Sequence, residues 1–289
     1  MHIKLTAADK SDVGKQREQN EDCAYKRIES SEEGDRGLFI VADGMGGYRA
    51  GEVASKLAID TISRTLDNLF KPLPDQPTIK LDLNQTVKLP PAESERPARQ
   101  KTRKLAETQN AASIEEQFRT AIQQANNAIL RHGEKQPSAR GLGSTVTAML
   151  VQNDQAYIAN VGDSRTYLLR GDTLKVLTRD HSLVMRLVEA RQIESREIYT
   201  HPQRNLIYRS LGAGHKFVEV DIFYEVVQPG DTFLLCSDGL WEMVHDEDLQ
   251  RVLSERKSPQ QICDTLIDLA NQNGGEDNIT AIVVQVSSV

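Results

Sequence analysis

The sequence predicts an α+β fold, and two observations carry that prediction. The first is a series of short apolar runs, rich in β-branched residues and bounded by Gly, Asp or Asn, which is typical of strands. The second is a smaller set of longer segments with apolar residues at three-to-four spacing, which is typical of amphipathic helices. The predicted strands are Leu38–Ala42, Thr145–Val151, Gln155–Val161, Thr166–Leu169, Phe217–Val227, Thr232–Cys236 and Ile279–Val286.

The predicted helices follow from the same spacing rule. Apolar residues recur at helical intervals in Glu52–Phe70, Ile114–Leu130 and Pro259–Asn273, and a further amphipathic stretch runs from Leu183 to Ile193. Ser258 followed by Pro259 and then Gln261 is the pattern of a capped helix start, since Pro suits the first helical position and Gln at the third completes a capping box.

Composition excludes several classes of protein. Hydrophobic residues make up 38% and charged residues 27% of the 289-residue chain, which is the balance of a soluble globular protein. The net charge of −7 argues against nucleic acid as a partner, because phosphate backbones need a basic face. No apolar run approaches the ~20 residues of a membrane span, and the N-terminus predicts no secretory signal. The three cysteines, without a CxxC pair, fit a reducing cytoplasm, which is the predicted location.

The stretch 71–112 differs from the rest of the chain. It holds six of the ten prolines, contains no aromatic residue and is basic from Arg96 to Lys104. Such a composition buries little apolar surface, so an exposed insertion between two helices is predicted. A solvated loop is the favoured interpretation, and a docking segment for an acidic partner is the alternative. The predicted organisation is therefore one domain, 1–289, carrying this insertion.

Acidic residues stand at the ends of the predicted strands. Asp43, Asp163, Asp238 and Asp277 each neighbour a small or turn-forming residue, and Glu21 with Asp22 forms a further acidic pair. Taken singly, an Asp-Gly pair is most often a tight turn. As a set, carboxylates gathered at the edge of a sheet would repel one another without a cation between them. Oxygen ligands of this kind suit Mg²⁺ or Mn²⁺ rather than zinc or copper.

At this point the motifs carry a resemblance. The chain resembles the PP2C-type (PPM) metal-dependent protein Ser/Thr phosphatases, especially the compact bacterial members. The matching segments occur in family order and cover nearly the whole chain except about 71–112: Ser11–Asp22, Val41–Gly47, Gly141–Thr145, Ala159–Arg165, Leu177–Ser182, Cys236–Trp241 and Glu276–Thr280. Each motif is weak alone, and their joint order makes a chance match implausible.

The resemblance implies a fold and a metal-dependent reaction. The fold would be an α-β-β-α sandwich of two antiparallel sheets flanked by helix pairs, with a flap at about 184–204. Two Mn²⁺ or Mg²⁺ ions would share a hydroxide that attacks the phosphorus of phosphoserine or phosphothreonine, and a third, weaker ion would bind at Asp163. The residues that the family pattern assigns to metal or its support are Glu21, Asp22, Asp43, the Gly44 carbonyl, Asp163, Asp238 and Asp277.

The phosphate-binding residue implied by the resemblance is Arg17. A guanidinium suits a phosphate because its fork is bidentate and permanently charged. Met45 stands where some relatives have a histidine credited with protonating the leaving oxygen, so the general acid is left unassigned. His181 is the tempting substitute, with a structural hydrogen-bonding role favoured. Arg191 stands where the flap usually has Gly, which would stiffen the flap, contact a phosphopeptide or simply leave an exposed arginine at a helix end.

Two function hypotheses follow from this resemblance, and a third, a two-metal nuclease, follows from the carboxylates alone. The leading hypothesis is a phosphatase acting on phosphorylated proteins, opposing a bacterial Ser/Thr kinase and acting on that kinase and its targets, as a monomer. A phosphorylated anti-sigma-factor antagonist is a narrower substrate. A catalytically dead phosphoprotein-binding adaptor is disfavoured because the motif residues are all present, and a two-metal nuclease is disfavoured by the acidic surface. A complete enzyme and a catalytic domain of a longer, membrane-anchored protein both stay open.

Overall fold

The architecture is known from a computed structural model that describes residues 2–32, 34–46, 50–70, 98–136, 139 and 141–288. Residues 98–112 are described by their backbone alone. Within these ranges the chain forms two antiparallel sheets with helices on their outer faces.

The first sheet contains both ends of the described chain. Its strands lie in the order β1 (Ile3–Asp12), β12 (Ile279–Ser288), β11 (Thr232–Cys236), β7 (Arg165–Arg170) and β8 (Thr173–Val176). All of these pairs are antiparallel, and the β1–β12 pair joins Ile3 to Ser288 and Asp12 to Ile279.

The second sheet is built around one long strand, β3 (Gly34–Met45). On one side of β3 lies β2 (Asp22–Ser31), and on the other β5 (Val146–Gln152), β6 (Gln155–Val161) and β10 (Asp221–Val226) follow in turn. The short strands β4 (Gly143–Ser144) and β9 (Leu211–Gly212) extend the sheet beside the far end of β3.

The helices divide between the two outer faces. The helices α1 (Ala50–Thr65), which continues as a 3₁₀ turn over Leu66–Phe70, and α2 (Ala98–Lys135) cover the second sheet. The helices α4 (Asp238–Trp241), α5 (Asp246–Leu253) and α6 (Pro259–Gln272) cover the first sheet. Helix α3 (Leu183–Glu189) and a 3₁₀ turn at Ser195–Tyr199 belong to the connection between β8 and β9. None of the helices in the described residues combines the length and apolar composition needed to cross a membrane.

Three apolar layers hold these elements together. The middle layer lies between the sheets, where Phe39 and Met149 of the second sheet meet Phe233 and Ile282 of the first, all fully buried. The outer layers lie between each sheet and its helices. This arrangement confirms the predicted α-β-β-α sandwich.

The strand and helix predictions differ from the structure mainly at the N-terminus and in the insertion. Strands β1 and β2 are not among the predicted strands because neither contains an apolar run longer than three residues, and β2 is only half-buried along most of its length. The helix predicted to start at Ile114 begins instead at Ala98, because residues 98–112 contain no proline and are rich in good helix formers. That part of the predicted 71–112 insertion is therefore helical, and 71–97 lie outside the described residues.

Candidate metal centre and phosphate site

The predicted acidic residues converge at one end of the sandwich, and they come from both sheets. Asp43 lies on β3 directly opposite Asp22 on β2. Asp163 lies where the chain crosses from β6 in the second sheet to β7 in the first. Asp238 is the first residue of α4, and Asp277 precedes β12. The sequence predicts these carboxylates at the edge of one sheet, whereas the structure places them at an edge formed by both sheets.

Glu21 and Gly44 are brought together by backbone bonding. The Gly44 N–H donates to the Glu21 carbonyl at 3.1 Å, and the Ser55 hydroxyl of α1 donates to the same carbonyl at 2.6 Å. A Cβ added to Gly44 would lie 2.1 Å from the Gly51 carbonyl oxygen. The close approach of α1 to the end of β3 therefore requires glycine at position 44.

Asn278 ties the N-terminal loop to this site, and the sequence reasoning treated it only as a turn former. Its side-chain Nδ2 donates to the carbonyls of Val13 and Gln19, both at 2.9 Å. Its Oδ1 accepts from the Glu21 N–H at 2.8 Å. One amide thus fixes both the loop that carries Arg17 and the backbone of Glu21.

Arg17 extends from that loop over the acidic cluster. Its Nη2 donates to the Asp277 Oδ2 at 2.6 Å while 51% of the side chain stays exposed. Burial alone would lower the pKa of Arg17, but the charges of Asp277, Asp238 and Asp43 outweigh it and raise that pKa. The arginine is therefore a fixed cation at the rim of the cluster, with room to meet an anion from solvent.

Burial and mutual repulsion dominate the electrostatics of the cluster. Burial, followed by the charge of Asp238, raises the pKa values of Asp43 and Asp163 well above the ordinary aspartate value. Burial, with nearby carboxylates, raises the pKa of Asp22 to about 7, and burial with the Asp277 charge raises that of Asp238 to about 6. Such shifts mark a site where negative charges lack compensation.

The residues present fit divalent cations. The Oδ1 atoms of Asp22 and Asp238 are buried and have no hydrogen-bond partner among the described residues. The donors are oxygens, as Mg²⁺ and Mn²⁺ prefer. No three His, Cys, Asp or Glu side chains in the described ranges already form a compact ligand cluster. Bound ions would therefore need water to complete their shells, as is usual for Mg²⁺. Asp22 itself accepts from the Ser237 hydroxyl at 2.7 Å, which suits a supporting residue.

His181 has a structural hydrogen-bonding role, which is the role favoured from the sequence. It is 1% exposed, and its Nδ1 accepts from the Gly162 N–H at 2.9 Å. Its Nε2 lies 3.2 Å from the Asp221 carboxylate and 2.9 Å from the Arg209 guanidinium. A ring held at both nitrogens braces the Gly162–Asp163 turn and is poorly placed to act as a general acid.

The segment predicted as a flap leaves the sandwich and returns to it at one place, where Ser182 and Ile207 form an isolated β-bridge. Its Arg204 donates to Glu242, one turn after Asp238, at 3.2 Å and to Glu276, next to Asp277, at 2.7 Å. Burial, then the Asp238 charge, raises the pKa of Glu242 to about 7. Neither Glu242 nor Glu276 is predicted as a site residue from the sequence, because only the folded position of the flap brings Arg204 to them.

Arg191 has a left-handed backbone, φ +56°, just past α3. This is the position where helix ends favour glycine. Its side chain is exposed, so the interpretation as an exposed arginine at a helix end is the one the structure supports.

Comparison with known proteins identifies the family. The family model for protein phosphatase 2C matches residues 13–273. The serine/threonine phosphatase stp of Listeria welshimeri is 38% identical over 248 residues, covering 86% of this chain and 84% of the relative. The serine/threonine protein phosphatase PstP of Mycobacterium tuberculosis is 33% identical over 98% of this chain, which spans 45% of that relative.

Solved structures agree with this assignment. The catalytic domain of a PstP in complex with 2 manganese ions superposes with a TM-score of 0.75 at 31% identity, covering 99% of this chain and 100% of that one. Stp1 from Staphylococcus aureus has a TM-score of 0.75 at 30% identity, covering 100% and 98%. With the sandwich, the convergent carboxylates and the matched model in agreement, the chain belongs to the protein phosphatase 2C family.

Proposed function

We propose that this protein phosphatase hydrolyses phosphoserine and phosphothreonine in proteins with the help of two divalent cations, Mn²⁺ or Mg²⁺, and a third, weaker ion at Asp163. The observation that carries the proposal is the convergence of buried carboxylates from both sheets beside Arg17. The residues proposed to hold the ions are Glu21, Asp43, the Gly44 carbonyl, Asp163, Asp238 and Asp277, with Asp22 in support.

The cations, when bound, supply Lewis-acid polarisation of the phosphate and activation of water. The chain's own residues do the positioning. Asp43 adjoins Gly44, whose N–H donates to the Glu21 carbonyl, and its carboxyl group is close to that of Asp238, so it would help to hold cations on either side. Asp22, opposite Asp43, stays fixed by the Ser237 hydroxyl. Burial strengthens every charge interaction there, because little water screens it.

Arg17 is proposed to bind the substrate phosphate. Its guanidinium already points at Asp277, so an incoming phosphate would be drawn to the same rim where the ions are held. The planar fork offers two parallel donors to two phosphate oxygens, which fixes the direction of the phosphorus. The half-exposed stem leaves space for a phosphorylated side chain to enter.

None of the three cysteines, which all lie in the described part of the chain, is suited to act as a thiol nucleophile. Burial raises the pKa of Cys236, which is wholly enclosed, and raises that of Cys263 to about 12. Burial also raises the pKa of Cys23. A thiol nucleophile needs a depressed pKa and access to substrate, so hydrolysis without a covalent phosphocysteine fits these residues better.

The first experiment is hydrolysis of p-nitrophenyl phosphate and of a phosphothreonine peptide with Mn²⁺ or Mg²⁺, and again with EDTA. We expect release from both substrates that EDTA abolishes. Asp238→Ala should abolish turnover with the fold retained by circular dichroism, while the matched control Asp248→Ala, an exposed aspartate of α5 paired with Arg251, should stay active. A folded wild-type protein that releases no phosphate with any divalent cation would refute the proposal and favour a phosphoprotein-binding adaptor.

We further propose a bacterial Ser/Thr kinase and its targets as the physiological partners, in the cytoplasm. The names of the relatives support the substrate class, and the free cysteines fit a reducing compartment. Dephosphorylation rates on an autophosphorylated Ser/Thr kinase domain and on a phosphorylated anti-sigma-factor antagonist separate the two substrate hypotheses. A clear preference for the antagonist would overturn the kinase assignment. That the enzyme acts as a monomer stays a prediction, which light scattering would test.

A further inference from the structure

Trp241, the only tryptophan of the chain, lies where three parts of the site meet. It is the last residue of α4, the short helix that begins at Asp238. The side chain is 3% exposed, and its Nε1–H donates to the backbone carbonyl of Asp163 at 3.0 Å. This bond links the helix that starts with one proposed metal ligand to the backbone of another.

The indole ring is held from one face by a buried cation. The guanidinium carbon of Arg165 lies 3.6 Å from the ring centroid. Arg165 is itself fixed by Asp180, whose carboxylate accepts from its Nε at 3.0 Å and its Nη2 at 2.7 Å, and it donates to the Tyr167 hydroxyl at 3.0 Å. A cation over an indole face is attractive and stronger when desolvated, so the ring and its N–H have one defined direction.

The flap contacts the same ring. Tyr199 lies with its ring centroid 6.3 Å from that of Trp241, and it stacks on His245 at 4.0 Å. The flap therefore rests on the residue that fixes Asp163.

Asp163 lies on the connection between β6 and β7, where no strand pairing holds its backbone, so its position depends on other hydrogen bonds. Gly162 before it has φ +107°, and its N–H and carbonyl are both bonded to His181. His181 thus pins the start of the turn, and Trp241 pins the Asp163 carbonyl itself. The peptide groups on both sides of Asp163 are thereby hydrogen-bonded.

We propose that Trp241 is a positioning residue for the weaker metal site at Asp163, an inference that rests on the proposed function. Its N–H sets the backbone from which the Asp163 carboxylate projects, relative to Asp238 at the other end of α4. Its effect on the reaction passes through Asp163, and it touches neither substrate nor metal.

Trp241→Phe removes the N–H donor and keeps an aromatic ring on Arg165. We expect the metal concentration for half-maximal activity to rise roughly three- to tenfold, the effect of losing one hydrogen bond of ordinary net strength. The matched control is Tyr167→Phe, which removes a hydrogen bond to the same Arg165 but none to Asp163. It should lower the melting temperature and leave the metal dependence unchanged. Equal shifts of metal dependence in both variants would indicate a merely structural role and overturn the proposal.

A double variant tests whether the effect passes through Asp163. If it does, Trp241→Phe added to Asp163→Asn should reduce activity no further than Asp163→Asn alone, because effects on one coupled unit are not additive. Fully additive losses would overturn the proposal.

Tryptophan emission supplies a readout that needs neither activity nor the Trp241 variant to fold. Titration with Mg²⁺ should change the emission of the wild-type protein in a weak-binding phase, and that phase should be lost in Asp163→Asn. Emission that ignores Mg²⁺, or responds identically in Asp163→Asn, would overturn the positioning role. A response as expected in a protein without phosphatase activity would refute the proposed function and leave this role standing.

Discussion

The pH dependence of stability without metal tests the electrostatics of the site. Asp22 and Asp238 have pKa values of about 7 and about 6 in the folded protein, against 3.8 ordinarily. The folded protein therefore keeps protons that the unfolded chain has released. Their stabilising contribution is fully present below about pH 4 and is lost as pH rises through these two pKa values. Metal-free protein should thus be more stable at pH 6 than at pH 8.

The magnitude follows from these values. Between pH 6 and pH 8, Asp22 and Glu242, with pKa values of about 7, each lower the free energy of unfolding by about 1 kcal/mol, and Asp238, with a pKa of about 6, lowers it by less. His181 opposes them, since burial lowers its pKa and its contribution is lost as pH falls. That opposing change is at most about 1 kcal/mol over the same range. Asp43 and Asp163, whose pKa values are also raised, act in the same direction as Asp22, so the expected net difference is at least about 1 kcal/mol in favour of pH 6.

The assay is urea unfolding followed by far-UV circular dichroism at pH 6, 7 and 8, with EDTA and with saturating Mg²⁺. Magnesium should reverse the trend, because protons compete with the cation for the same carboxylates. Asp22→Asn should make the metal-free profile shallower, and the exposed control Asp248→Asn should leave it unchanged. Metal-free protein that is as stable at pH 8 as at pH 6 would refute the view that these carboxylates are forced together without compensation.

Three substitutions test other parts of the structure. Asp180→Asn leaves the buried Arg165 without its countercharge and should cost about 3–5 kcal/mol in urea unfolding; a loss below about 1 kcal/mol would contradict this. Gly44→Ala has no room beside the Gly51 carbonyl and should lower kcat/KM at saturating Mn²⁺ by at least about tenfold, whereas near-normal turnover would show that α1 can move. Arg17→Lys keeps the charge but loses the fork, so KM for a phosphothreonine peptide should rise about tenfold with circular dichroism unchanged; an unaltered KM would remove Arg17 from phosphate binding.

The contacts of the flap and the pairing of strand β1 could not be predicted from the sequence. Strand β1 has no continuous apolar run, since Ile3 and Leu5 alternate with Lys4 and Thr6, and its place in the first sheet comes from pairing along its whole length with β12 at the other end of the chain. Arg204 reaches Glu242 and Glu276 only because the flap folds back onto α4. Neither relation has a local signal, since both join residues far apart in the chain.

Local signals in the sequence were enough to predict the strands with continuous apolar runs, the capped helix at Pro259, and the motifs in which Asp43, Asp238 and Asp277 stand next to small or turn-forming residues. Local propensity and short-range spacing are enough for these, because hydrophobic periodicity and turn chemistry act over a few residues. Only the folded chain shows that the acidic residues come from both sheets, that Asn278 fixes the loop of Arg17, and that Trp241 bonds to the Asp163 carbonyl. The physical reason is that strand pairing and sheet packing bring together residues that are far apart in the chain, and no local sequence pattern indicates such contacts.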